Sequence, residues 1–239
     1  SANIGGTRNS SLGSNALGAN TTGSYNTAVG MHSLTSNTTA SNNTAVGYQA
    51  AYSNTTAPEV TAVGYKAGYN STGGYNTFLG YNAGVGQTTG DSNTYIGRGI
   101  ASVNTSTGGF NTALGNFALS RNTSGSYNVA VGSDALRTNT TASYNTAVGY
   151  QSAYSNTTGT ENVALGVFSL YANTTGIRNT ALGKSAMEVN TTGTDNVAVG
   201  VTALDANTTG ANNTALGNFS LTSNTTASNN TAVGYQAGY

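Results

Sequence analysis

A glycine preceded by Val, Leu or Ile recurs at Gly13, Gly30, Gly47, Gly64, Gly80, Gly97, Gly115, Gly132, Gly149, Gly166, Gly183, Gly200, Gly217 and Gly234. Of the thirteen intervals eleven are 17 residues, one is 16 and one is 18. A short fixed period over almost a whole chain means a one-dimensional stack of like units, each touching only its neighbours. The unit reads roughly Asn-Thr-Ala-Val-Gly-x-x-Ala-Leu-x-x-Asn-Thr-Thr-Gly-x-x, and it gathers none of the unlike side chains of an active site. Residues 1–239 are therefore expected to form a single repeat array. Because the text is repetitive at both ends and supplies no polar cap, the array reads as a segment of a longer fibre.

Columns counted from the glycine are sharp. Four residues before it stands Asn in thirteen of fourteen units, Val60 being the exception. Next come Thr, Ser or Val, then usually Ala, then Val, Leu or Ile, a pattern that reads as a four-residue strand. Val replaces Thr at Val129, Val163 and Val197, in phase with Val131, Leu165 and Val199, so that face can be wholly apolar. Strand alternation turns Ala28, Ala45, Ala62, Ala113, Ala130 and Ala147 to the opposite face. Two apolar faces need two covers. The expectation is that one face packs inside its own coil and the Ala face meets a second or third copy of the chain. Phe78 and Tyr95 interrupt the Ala column, which predicts a local widening or a more exposed patch.

Beyond the glycine, Ala or Ser (Ala16, Ala50, Ala118, Ser169, Ala203), often followed by Leu (Leu17, Leu34, Leu119, Leu136, Leu204), predicts a second short strand. The glycine is then a bend where a side chain would clash with the adjoining coil. Asn-Thr-Thr-Gly or Asn-Thr-Thr-Ala follows as a turn. The 16-residue unit loses its residue beside Asn70, Ser71 and Thr72, and the 18-residue unit gains one between Asn104 and Gly109. Glycine recurs too often for helices, at about 1 kcal/mol each. The expected fold is an all-β parallel β-solenoid of about 14 coils of 17 residues with two short strands per coil.

Composition excludes several functions. Seven basic and seven acidic residues cancel, and only 6% of residues are charged, so the chain lacks the footprint of a nucleic-acid binder. With no cysteine it has neither a disulfide nor a thiolate metal site. No apolar run approaches the roughly 18 residues that cross a bilayer, so no membrane insertion is expected within this segment.

Asn26-Thr-Ala-Val-Gly30, Asn93-Thr-Tyr-Ile-Gly97 followed by Ile100, and Asn145-Thr-Ala-Val-Gly149 followed by Ser152 resemble the head repeats of YadA-like trimeric autotransporter adhesins. The recurring Asn-Thr-Ala-Val-Gly-Tyr-Gln-Ala is also similar to the repeats of phage tail-fibre-like proteins. The resemblance covers nearly the whole chain and implies a left-handed β-roll assembled as a homotrimer. The adhesin unit is typically shorter, and the Asn-Thr-Thr corner is the added length.

Candidate surface chemistry lies in two places. Asn20, Asn37, Asn54, Asn70, Asn104, Asn122, Asn139, Asn156, Asn173, Asn190, Asn207 and Asn224 each open an N-glycosylation sequon, with Gln87 the one substitution in that series. The same column could instead be an amide ladder hydrogen-bonded from coil to coil. Tyr48, Tyr52, Tyr65, Tyr69, Tyr150 and Tyr154 are candidate contacts for sugars or host surfaces, or stack on one another between coils. Threonine ladders also raise an ice-binding solenoid as a minor alternative. His32 is the only histidine and Pro58 the only proline, so no His-based triad or metal set can repeat. Glu59, Asp91, Asp134, Glu161, Glu188, Asp195 and Asp205 are scattered, unlike the Asp ladders of calcium-binding β-rolls. No catalytic, metal-ligating or cofactor-binding residue is assigned.

Residues 33 to 50 recur identically at 220 to 237, a separation of eleven periods of 17. Duplication of whole units suits a structure in which length matters more than any unique residue. The expected function is a non-catalytic extracellular fibre or adhesin rod, on a cell surface or a virion, partnered by further copies of itself and by cell-surface glycans or a host surface. The alternative is a fibril whose protein scaffolds glycans at the Asn-Thr-Thr turns.

Overall fold

A computed structural model describes residues 5–103 and 105–239. The chain is a parallel β-solenoid in which every described coil carries one three-residue strand and no helix. It divides into two compact units, Ser1–Phe117 with Asn122–Ser124, and Ala118–Arg121 with Gly125–Tyr239. The first holds β1 (Ser10–Leu12), β2 (Thr27–Val29), β3 (Thr44–Val46), β4 (Thr61–Val63), β5 (Thr77–Leu79), β6 (Thr94–Ile96) and β7 (Thr112–Leu114). The second holds β8 (Val129–Val131), β9 (Thr146–Val148), β10 (Val163–Leu165), β11 (Thr180–Leu182), β12 (Val197–Val199), β13 (Thr214–Leu216) and β14 (Thr231–Val233). Within each unit the strands pair in chain order and in register, Ala28 on Ala45 in one and Ala164 on Ala181 in the other.

The faces are the reverse of the expected arrangement. Ala28, Ala45, Ala62, Ala130 and Ala147 are fully buried inside their own coils, while the flanking Thr, Val and Leu point outward. Val46, Leu79, Leu165 and Leu216 are among the exposed apolar residues. Volume decides the direction. The interior of each coil must also take the Ala or Ser three residues after the glycine and the Leu four after it, and Leu34, Leu119, Leu136, Leu170 and Leu204 are fully buried. That leaves room for one methyl from the strand and none for two branched side chains, because interiors pack to crystal-like density. The Ala face is thus covered without a second chain.

The second strand is absent among the described residues. Its residues alternate into the left-handed region, with His32 at φ 61° and Leu34 at 46°, Asp134 at 60° and Leu136 at 48°. Each such non-glycine residue costs about 1 kcal/mol or more. Two left-handed positions per coil, one of them glycine at Gly68, Gly84 and Gly99, fold the segment into successive tight turns, closed by Ser33 N–H to Gly30 O (3.3 Å) and Asn37 N–H to Leu34 O (3.2 Å). A third left-handed residue precedes the strand, as at Tyr144 (φ 62°). The repeated glycine does mark the bend, at φ 126° to 139° throughout. A Cβ on Gly47 would lie 2.3 Å from the Gly64 carbonyl oxygen of the next coil.

Phe78 and Tyr95 produce no exposed patch, for both are fully buried. Space for the Phe78 ring comes from Gly68 and Gly84, which stand where most other coils have a Leu. A Cβ on Gly84 would lie 2.3 Å from the ring and one on Gly68 2.5 Å from it. Large and small residues have exchanged places at nearly constant core volume, the swap that cores tolerate best. Gly84→Leu alone is expected to destabilise the chain by about 2 kcal/mol or more. Adding Phe78→Ala recovers most of that loss in denaturant titration, whereas additive losses would show that the two sites do not share one space.

Candidate functional site

The side-chain amides of the repeat are mostly inside the chain. Between Asn26 and Asn213 the Asn four residues before the glycine is buried beside the strand wherever it occurs, and it brackets three coils. Asn179 accepts the Asn196 backbone N–H (3.1 Å) and side-chain N–H (3.1 Å) at Oδ1. Its own Nδ2 donates to Asn162 Oδ1 (3.2 Å) and to the Gly193 carbonyl (2.8 Å). In the second unit the Oδ1-to-backbone links run from Asn128 to Asn230 without a break. In the first unit Val60 still donates its backbone N–H to Asn43 Oδ1 (2.8 Å) but passes no amide onward. The Asn76 amide turns instead to Gly73 and Gly90 carbonyls (3.0 and 2.9 Å).

The asparagines of the Asn-Thr-Thr corners form a second amide column. Asn173 Nδ2 donates to Asn156 Oδ1 (2.9 Å) and to Gly176 O (3.0 Å), and Asn190 and Asn207 repeat the pattern. Asn20, Asn37, Asn54, Asn122, Asn139, Asn156, Asn173, Asn190 and Asn207 are all buried. A glycan on Nδ2 would replace a hydrogen that the corner uses and would have to occupy the core. Asn224 is partly buried in the same arrangement. Asn104 lies outside the described residues. Asn70 does not belong to the column. Buried Ser71 stands there, and the Asn70 amide donates to Val85 O (2.9 Å). Gln87 does belong, its longer arm reaching Gly108 O (3.0 Å) across the 18-residue coil.

Buried Tyr95 sits against both columns, its hydroxyl within donating distance of Asn93 Oδ1 (3.2 Å) and Gln87 Oε1 (3.4 Å). Burial pushes its phenol well above the ordinary tyrosine value, and hydrogen bonding from Asn111 offsets only part of that. Five of the six candidate surface tyrosines stack on a neighbouring ring, and Tyr150 makes an edge contact. Tyr48 and Tyr52 lie on Tyr65 and Tyr69, with centroids 5.4 and 5.1 Å apart, and Tyr65 continues onto Tyr81 at 5.2 Å. Tyr154 stacks on Tyr171 at 5.2 Å and Tyr150 meets the edge of Phe168. Lys66 Nζ lies over both Tyr65 and Tyr69. The ring faces that would receive a sugar are largely taken by neighbouring coils.

Two charge alignments escaped the linear reading. Arg178 forks onto Asp195 one coil away (2.6 and 2.9 Å), which holds that carboxyl below the usual range. Arg178 is exposed and Asp195 partly so, and pairs of this kind contribute little. Glu188 and half-buried Asp205 share a column in successive coils, and burial, then the Glu188 charge, raises the Asp205 carboxyl. No group of three or more His, Cys, Asp or Glu side chains converges among the described residues.

No protein-family model, curated protein or solved structure matches the chain.

Two outcomes follow for these columns. Asn179→Leu strands the Asn196 N–H and the Gly193 carbonyl, and is expected to cost about 3 kcal/mol or more in denaturant titration. A loss below about 1 kcal/mol would show that the column is ornamental. Tyr95 keeps its proton in the folded chain after the unfolded chain has lost it. Its contribution is therefore complete below the unfolded tyrosine value near 10 and falls as pH rises above it. The melting temperature of the parent chain should drop more steeply above that pH than that of Tyr95→Phe.

Proposed function

We propose that this chain is a non-catalytic rod segment of an extracellular fibre or adhesin, on a cell surface or a virion. The observation that carries the reading is the repetition of nearly one hydrogen-bond set in coil after coil, broken only locally as at Val60. Such a stack grows by whole units without disturbing its neighbours. Eleven periods separate two identical stretches, in keeping with growth of that kind. A reaction needs unlike groups brought together, and the columns bring like groups together.

Self-assembly belongs on the outward strand face rather than the Ala face. In the second unit that face carries Val163, Leu165, Val197 and Leu216, all exposed and none charged. Its side chains repeat once per coil, so a second copy of the chain matches it coil for coil. Association into a trimer or fibre is expected in sedimentation, and Leu165→Lys with Val197→Lys should give monomers of unchanged melting temperature. Parent chains that sediment as monomers would remove the self-assembly claim and leave the rod reading standing.

Protease treatment of intact cells or particles that carry the chain tests the rod reading itself. Cleavage without lysis is expected. Full protection until lysis would overturn an external location.

A further inference from the structure

Corners of successive coils are tied to each other by their backbones. The first corner threonine donates its N–H to the carbonyl of its counterpart one coil on, Thr38 to Thr55 (2.9 Å), Thr72 to Thr88 (2.8 Å) and Thr157 to Thr174 (2.9 Å). The corner that follows β3 makes no such tie. Thr55 and Thr56 are exposed, and their N–H groups reach no carbonyl of the following coil. The Asn54 amide closes on its own corner instead, at Ala57 O (2.9 Å) and Ala57 N–H (3.0 Å). Among the described residues no hydrogen bond joins 54–57 to 70–73.

Other departures from the repeat gather around the same seam, which lies between the coil that holds β3 and the coil that holds β4. The coil that follows is the 16-residue one, and the residue it lacks belongs to the corner. Pro58, with neither hydroxyl nor N–H, stands where Ser41 accepts the Ser24 N–H (3.0 Å). Val60 leaves the buried Asn76 N–H without the acceptor that Asn26 Oδ1 gives to Asn43 (3.0 Å). Because Asn54 has turned to its own corner, buried Asn37 Oδ1 has no donor, whereas Asn139 Oδ1 receives one from Asn156 (3.1 Å). Unpaired buried polar groups weaken the folded state where they stand. What still crosses the seam is the pairing of β3 with β4, with Ser53 N–H to Tyr69 O (3.0 Å) and Tyr75 N–H to Pro58 O (3.0 Å) on either side of the open corner.

We infer that the first unit has a built-in opening point at this seam, where the corner 54–58 parts from the next coil while β3 and β4 stay paired. Local opening starts where a fold has the fewest ties, and a stack with identical seams would have no such place. The seam gives the array one coil boundary at which it yields without loss of the coils on either side. It belongs to the chain wherever the chain resides, so failure of the rod reading leaves it untouched.

The test is native-state backbone hydrogen exchange on the full chain, read at amides that are bonded across the seam. Ser53 and Tyr75 are expected to show protection factors about tenfold or more below those of Ser36 and Asn42, which hold the equivalent bonds to Tyr52 O (3.2 Å) and Ser24 O (3.0 Å) at earlier seams. Val60→Asn restores an acceptor for the Asn76 N–H, and should raise protection at Ser53 and Tyr75 with none gained at Ser36 and Asn42. Equal protection at the two pairs of amides in the parent chain would overturn the inference. So would a folded Val60→Asn chain in which Ser53 and Tyr75 exchange as fast as before.

Discussion

Stacked asparagine amides are the interaction on which this structure depends. A 17-residue coil encloses too little apolar volume to hold itself closed, since its interior is an Ala methyl, a second Ala or Ser and a Leu. The peptide groups at the corners also need partners away from water, and an unpaired buried one costs about 1 to 3 kcal/mol. An amide answers both needs, because it offers donor and acceptor at one site and reaches the coils on either side. Two such columns per unit replace the larger core that a solenoid of longer coils would have.

Much of this was legible. The glycine column predicted the period, the parallel stack and the bend, and the Cβ contacts on the next coil's carbonyl give the reason. Direction was not legible. Alternation shows that Ala and its Thr and Val neighbours lie on opposite faces but not which is inside, and only the volume left beside Leu136 or Leu170 decides it. The second strand failed for a different reason. A short apolar pair such as Ala135 and Leu136 fits a strand by propensity, whereas the coil needs it in a turn at φ 48° for Leu136, and closure overrode propensity.

The corner column shows how a local motif can mislead. Asn70 satisfies the sequon but is one residue out of phase, and Ser71 takes the position that the ladder requires. Counting from the glycine, rather than matching Asn-x-Thr, separates the two. The same counting links Phe78 to Gly68 and Gly84, a size exchange present in the sequence but visible only across columns. What a sequence motif presents as surface chemistry, the fold uses as its core. The surface left over consists of the outward strand face, the stacked tyrosines and the second corner threonines, and the self-assembly proposal rests on the first of these.

Side-chain amide hydrogen exchange, followed by NMR on the folded chain, tests the central claim most directly. The Asn179, Asn196, Asn173 and Asn190 amides are expected to exchange about two orders of magnitude more slowly than the exposed Asn42 and Asn212 amides. They should do so in step with the strand backbone. Exchange of the buried asparagines at the rate of the exposed ones would mean that the coils are held together by something other than the amide columns.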